Sequence, residues 1–403
     1  MRAAVAVLLA GAVAIGATAC GSEVSGTPGG KVPGDSVTVY SSLPLRGPQA
    51  AVAASMVNGQ KLALADADGR VGDLTVKFVS LDSSTGPGGI ASGAAALNAR
   101  RAVRDPSTIG YIGEAGFEAS ATSTPLLNAG GIAQVSPLES YAGFTTRTPG
   151  TSAGDPERWY PSGVRTFARV VPSASAEAAA QAAWQAAEGC RRTLIVADLR
   201  ATSRALAAAA QEALTAAAVR TYGPSSAEGL GVALGIQRTP PDCVFVAGVA
   251  DPIALWRALS SALPRALLFA PSGAAREAFI KALTPAEQAL TRITRPVVGP
   301  AAQEPAARAL EARYRKVFGS DPAPEMLFGY EAMQVILEGI RLAGPNSRSR
   351  SAVAAAIHRV KRSESPLGSY AIRRDGDTTL RRMGGWTVRG GELRFARVLY
   401  GGP

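Results

Sequence analysis

Gly150-Thr151-Ser152-Ala153-Gly154 has the spacing of a G-x-S-x-G nucleophile elbow. Such an elbow exposes its serine on a sharp turn between a strand and a helix. Here Pro149 precedes the motif and Asp155-Pro156 follows it, so the surroundings read as a loop. The single histidine, His358, lies in a basic stretch, Arg350 to Arg362, that reads as a helix. A solvated helix position is the expected role there, and no serine–histidine pair is expected. Gly86-Pro87-Gly88-Gly89-Ile90-Ala91 spells G-x-G-x-x-A, with Asp105 downstream. Ser83-Ser84-Thr85 separates it from the preceding strand, and Pro87 stiffens the turn that would have to embrace a pyrophosphate. It reads as a loop entering a helix rather than a dinucleotide site. One histidine and no cysteine cluster supply no metal set. Neither enzymatic activity nor a cofactor is expected.

Three carboxylates remain: Glu114, Glu118 and Glu139, in two loops of an otherwise basic chain. One reading pairs them with Arg46, or with Arg200 and Arg204 from a second domain, so that ion pairs help closure. The other makes them the wall of a cleft for a cationic or amide-rich ligand, with Phe117 and Tyr141 stacking on it. On that second reading Glu118 is needed for binding and not for folding.

The elements that would position these loops centre on Ile109 to Pro137. The apolar run Ile109–Ile112 stops at Gly113, a helix runs from about Glu118 to Ala129, Gly130-Gly131 ends it, and Ile132–Val135 follows. This is a strand, helix, strand unit of a parallel sheet. Ligands of such sheets sit beyond the carboxyl ends of the strands, which directs attention to Gly113–Glu118 and Ser136–Tyr141. Earlier strands are expected at Val37–Tyr40 and Leu74–Leu81, with helices at about Pro48–Asp68 and Gly89–Arg104. Periodicity disappears over Thr145–Gly163, a polar loop with three prolines. A second alternating series starts near Arg169 and includes strands at Thr193–Ala197, Val219–Tyr222, Cys243–Ala247 and Ala266–Ala270. The C-terminal strands are joined by Asp375-Gly376 and Arg389-Gly390-Gly391, which is hairpin chemistry. The expected fold class is α/β, with two doubly wound domains.

At 403 residues, 47% of them hydrophobic and 18% charged, the chain can fill two ordinary cores. Its net charge is +11, from 42 basic and 31 acidic residues, with much of the excess between Arg341 and Arg382. No basic run carries interleaved aromatics, so nucleic acid is not an expected partner; an anionic envelope surface is. Met1-Arg2, an apolar run to Ala17 and the small residues Thr18-Ala19 read as an export signal over 1–20. Gly, Pro and Ser enrich 21–35, which reads as a flexible tether. Cys190 and Cys243 each stand at the entry to an apolar run. If those strands are parallel neighbours the two sulfurs come within bridging distance, and export permits the bond; two buried thiols are the alternative.

Cys20, after its small residues, resembles the lipidated cysteine of a bacterial lipobox, with Ala17 where a larger aliphatic residue is usual. Ordinary cleavage leaving a free Cys20 is the alternative. Tyr40–Gly47, Asn58–Ala65, Leu81–Ser84, Asn98–Ile109, Ile109–Pro137, Arg169–Ser173, Phe328–Ala332 and Pro366–Asp377, in that order and spacing, resemble the type I periplasmic-binding fold. More narrowly, they are similar to the branched-chain amino-acid-binding family of ABC-transporter substrate-binding proteins. The resemblance implies two α/β lobes, 36–168 plus 297–365 and 169–296 plus 366–403, joined by three hinge crossovers and closing on a small solute. It places ligand contacts at Ser42, at Phe117 (a serine in the family), at Leu138 through its backbone, and at Ser140 through its hydroxyl, with Glu118 and Tyr141 beside them. In lobe two the family's ammonium-holding acids and aromatics fall at Ala174, Thr202, Val249 and Ser272. Among these polar positions only Ser140 keeps the family's chemistry, so an amino acid's ammonium would be left unpaired there. The expected role is capture of an amino-acid-like or other small polar solute by a monomeric, lipid-anchored extracytoplasmic protein, delivered to an ABC permease. The rival is a ligand-sensing or envelope-interaction lipoprotein without transport.

Overall fold

The computed structural model describes residues 30–84, 91–214, 218–221, 238–248 and 252–402. Cys20, Val249, most of the Gly86–Ala91 motif and the proposed signal segment lie outside them. The first sheet contains β1 (Ser36–Leu43), β2 (Arg70–Val71), β3 (Leu74–Asp82), β4 (Thr108–Ile112), β5 (Ala133–Ser136) and β6 (Phe167–Arg169). Their order is β2-β3-β1-β4-β5-β6. All neighbours pair in parallel except β2, an antiparallel edge strand. Helices α1 (Ala50–Asp66), α2 (Ala91–Arg104) and α3 (Phe117–Ala129) supply the crossovers. Every residue of β4 is buried, as a central parallel strand covered on both faces requires.

The second sheet contains β7 (Thr193–Ala197), β8 (Ala218–Thr221), β9 (Cys243–Val246), β10 (Leu267–Ala270) and β11 (Thr291–Arg295). After a two-stranded pair, β12 (Lys361–Arg362) and β13 (Tyr370–Ala371), the hairpin β14 (Arg382–Arg389) and β15 (Glu392–Tyr400) completes it. The order is β15-β14-β11-β10-β9-β7-β8. Gly390 and Gly391, at φ 63° and 72°, form the two-residue turn between β14 and β15, where both positions need a left-handed backbone. Helices α4 (Ala174–Ala187) and α5 (Ala201–Ala213) flank this sheet.

The chain passes between the sheets three times: after β6, after β11 and before β14. Following β11 it returns to the first sheet, where Phe328, Met333, Ile336 and Ile340 of the helix Met326–Ala343 share a core with Val37, Val39, Ile109 and Val135. That helix lies against α1 at backbone distance. A Cβ on Gly59 would stand 2.5 Å from Met326 O, and one on Gly329 would stand 2.3 Å from Met56 O. The two-sheet, doubly wound architecture expected from the sequence is the one observed. Among the described residues no helix is long and apolar enough to cross a membrane.

Two expectations are corrected. The tether does not stay free to residue 35: Val32 is buried, and its amide donates to Arg348 O at 2.7 Å. One apolar side chain in a polar run suffices to dock it. The basic helix does not reach Arg362 but ends at Ile357, because Val360 turns into the core and Lys361–Arg362 pairs with β13. His358, at the end of that helix, is half-buried rather than fully solvated. Its ring nitrogens lie 3.3 Å and 3.2 Å from the carbonyl oxygens of Arg373 and Arg165.

β7 and β9 are parallel neighbours with Thr193 opposite Cys243, and Cys190, three residues upstream, forms a disulfide with Cys243. The bridge closes a separation of 53 residues, for which the chain-entropy account gives about 4 kcal/mol. Cys243→Ala is expected to lower the urea midpoint accordingly; an unchanged midpoint would show that the bridge contributes nothing.

Candidate functional site

In the second sheet β7 feeds outward to β8, whereas β9, β10 and β11 extend the other way. The direction of winding therefore reverses between β7 and β9, and loops leaving the two strands diverge and open a crevice at their carboxyl ends. A cavity of about 460 Å³ occupies that crevice, a size suited to a small solute. Leu206, Val246, Pro252, Trp256 and Phe279 give it apolar walls, and Ser140 and Tyr141 reach it from the loop after β5. Thr202 and Ser203 stand at the start of α5, which has no capping side chain. The positive end of that helix is thus directed at the cavity. Arg200 and Arg276 also line it. The Arg200 guanidinium is held by Asp198 at 2.8 Å, while the Arg276 guanidinium donates to Gly273 O at 2.9 Å.

Among the described residues Glu177 is the acid of this cavity. It sits in the first turn of α4 and is buried. Thr294 Oγ1 donates to it at 2.6 Å, Ser272 N at 2.7 Å and Ser272 Oγ at 3.1 Å. Among the described residues no lysine or arginine lies within ion-pair reach. Burial pushes its pKa up, and the three donors oppose that without reversing it. Sequence reasoning missed Glu177. The signal was present: it is the only charged side chain in the alanine-rich segment Ala174–Ala187, one helical turn beyond the Ala174 that takes the family's acid position.

Of the residues expected at a site, Ser140, Tyr141, Thr202 and Ser272 line the cavity together. Ser42, Phe117, Glu118 and Leu138 do not. Ser42 is fully buried, donating to Glu114 Oε2 and accepting from Asn98, each at 3.0 Å. Phe117 starts α3 and packs edge-on to Tyr141 at 4.9 Å, so the two rings contact one another rather than sandwich a ligand. Glu118 is exposed. Leu138 packs beside Leu43 and Met56.

The ion pairs expected of the acids are not made. Glu114 accepts from Tyr111 Oη at 2.7 Å as well as from Ser42, and Glu139 accepts from the amide of Tyr141 at 2.7 Å. Arg46 turns to Asp82 instead, at 2.6 Å. The strand-end loops curl over these carboxyl groups, and hydroxyl and amide donors replace water around them. Ser152 lies in a loop, as its flanking prolines suggested, and its amide donates to Asp155 Oδ2 and Tyr141 Oη, each at 3.0 Å.

The sequence matches the family described as periplasmic binding protein over residues 37–392. No curated protein matches it. Among solved structures, a leucine-binding protein of Thermotoga maritima is 20% identical, with TM-score 0.71 over 90% of this chain and 99% of that one. A branched-chain amino acid transporter substrate-binding protein of Streptococcus pneumoniae, in complex with isoleucine, is 14% identical, with TM-score 0.71 over 91% and 99%. A solute-binding protein from R. palustris, in complex with 4-hydroxybenzoate, is 15% identical, with TM-score 0.69 over 92% and 98%. At these identities the likeness to each is one of fold.

Burial raises Glu114 and Glu139 from 4.5 to about 7. The folded protein then keeps protons that the unfolded chain has released between those values. The contribution of these two groups to stability is fullest below about pH 4.5, declines as pH rises toward 7, and levels off above it, by about 3 kcal/mol per carboxyl. Urea unfolding at pH 5 and pH 8 measures this. Glu114→Gln, whose amide can still accept from Tyr111 and donate to Ser42, is expected to flatten the decline; a variant with the wild-type slope would refute the assignment.

Proposed function

The chain belongs to the periplasmic-binding-protein family, and from that premise we propose that it is the solute-binding protein of an ABC importer, with an amino acid of apolar side chain as its solute. Glu177 carries this reading. A buried carboxylate without a cation is costly, and such charges are normally paired. A ligand ammonium in the cavity would supply the missing charge. The open N-terminus of α5 and the Arg276 guanidinium suit a carboxylate, and Leu206, Val246, Trp256 and Phe279 suit an apolar side chain. An acid displaced by one turn thus answers the ammonium that the family's own positions leave unpaired.

The two sheets would move as lobes, 36–168 plus 297–365 against 169–296 plus 366–403, about the three crossovers. The proposed setting is outside the cell membrane, held by a lipid on Cys20, with a permease as partner and the protein as a monomer. No enzymatic step is proposed. An aromatic acid, as in the R. palustris neighbour, would use the same apolar walls and leave Glu177 unanswered.

Thermal-shift titrations with L-leucine, L-phenylalanine and 4-hydroxybenzoate test this. A ligand at 100 times its dissociation constant adds about 2.7 kcal/mol. Stabilisation by an amino acid is expected, weakened roughly tenfold or more in affinity by Glu177→Gln with the fold retained. Stabilisation by 4-hydroxybenzoate alone, indifferent to Glu177→Gln, would sink the amino-acid reading. Separately, Cys20→Ala is expected to move the protein from the membrane to the soluble fraction, and continued membrane recovery would refute lipidation.

A further inference from the structure

Tyr141 contributes the first-sheet side of the cavity, yet its hydroxyl is not free for a ligand. It donates to Asp155 Oδ2 at 2.6 Å and accepts from the amide of Ser152 at 3.0 Å. Asp155 is fully buried, and its other oxygen meets Arg158 Nε at 2.7 Å. The loop 145–163 that carries these residues is tied to the segment just before it. Trp159 Nε1 donates to Gly143 O at 3.0 Å, and the Trp159 and Phe144 rings lie 4.8 Å apart.

The same loop touches the other wall of the cavity. Gly150, at φ 80°, lies so close to α5 that a Cβ there would be 2.7 Å from both Arg204 O and Ala208 Cβ and 3.0 Å from Ala205 Cα. Ala205 is buried in one cluster with Tyr141, Phe144 and Trp159. Thr202 and Ser203, one turn earlier on α5, line the cavity. One loop therefore grips a wall residue from each half: Tyr141 through Asp155, and α5 through Gly150.

We infer that the loop 145–163 is a strap across the cleft, and that Asp155 and Gly150 are positioning residues that set the width of the cavity. Neither touches the cavity itself. Asp155 acts through Tyr141, and Gly150 acts through the α5 turn it docks on. Glycine is required at 150 on two counts, because a side chain there would meet both a left-handed backbone and a neighbouring helix. The inference takes from the proposed function only that the cavity is the ligand site.

Two measurements on the full chain decide it, and the first needs no ligand. Gly150→Ala is expected to raise the radius of gyration of the ligand-free protein in small-angle scattering, as the halves part. The second compares affinities for L-phenylalanine and L-alanine. A cavity whose width is held by the strap loses its preference between large and small side chains, by roughly tenfold in the ratio, in Gly150→Ala and in Asp155→Asn. A merely structural role would weaken both ligands equally. If Gly150→Ala does not fold, Asp155→Asn alone carries the ratio test. An unchanged radius of gyration together with an unchanged ratio would overturn the strap. If wild type binds neither amino acid, the ligand reading fails while the scattering result still judges the strap.

Discussion

A negative charge buried without a positive one beside it must be surrounded by donors, and this requirement shapes the cavity region. Glu177 draws together three segments that are distant in sequence: the first turn of α4, the loop after β10 through Ser272, and β11 through Thr294. Gln181, one turn further along α4, ties the end of β10 to the same threonine, donating to Ala270 O at 2.8 Å and to Thr294 Oγ1 at 2.9 Å. The carboxyl edge of the second sheet is thereby fixed around an acid before any solute arrives. Polar groups held in this way lose little freedom on binding, so a cognate solute would meet a largely prearranged site.

The first sheet solves a similar problem differently. Its own winding reverses between β1 and β4, the usual place for a ligand. There Glu114 is closed in by Ser42 and Tyr111. The two switch points are thus unequal: one is filled by a protein carboxyl group, and the other is left open with an acid in its wall.

Much of the fold was legible because it rests on local signals. The apolar runs of β4 and β5, the Gly130-Gly131 stop and the cysteines at strand entries each identify an element without knowledge of its neighbours. The return of the chain to the first sheet through Met326–Ala343 required the family resemblance, since no local pattern says which sheet a helix covers. The site was less legible. Ser140, Thr202 and Ser272 were placed by register and Tyr141 by its loop, and all four line the cavity because they sit at strand ends or helix starts that the topology fixes. Phe117 and Glu118 kept their place in the register and not their surroundings: Phe117 joins an aromatic cluster with Phe144 and Trp159, and Glu118 is left facing solvent. Glu177 was overlooked because a displacement of one helical turn returns a side chain to nearly the same face, which a position-by-position comparison does not register.

The interleaving of the two halves bears on how the polypeptide is made. The first sheet lacks its cover until Met326–Ala343 has been synthesised, and the second lacks β14 and β15 until Tyr400. Each core is completed only by residues far downstream of its first strands. Contacts between remote parts of a sequence also form slowly. On the proposed reading as an exported protein, this interleaving would favour passage of the unfolded chain across the membrane before its cores close.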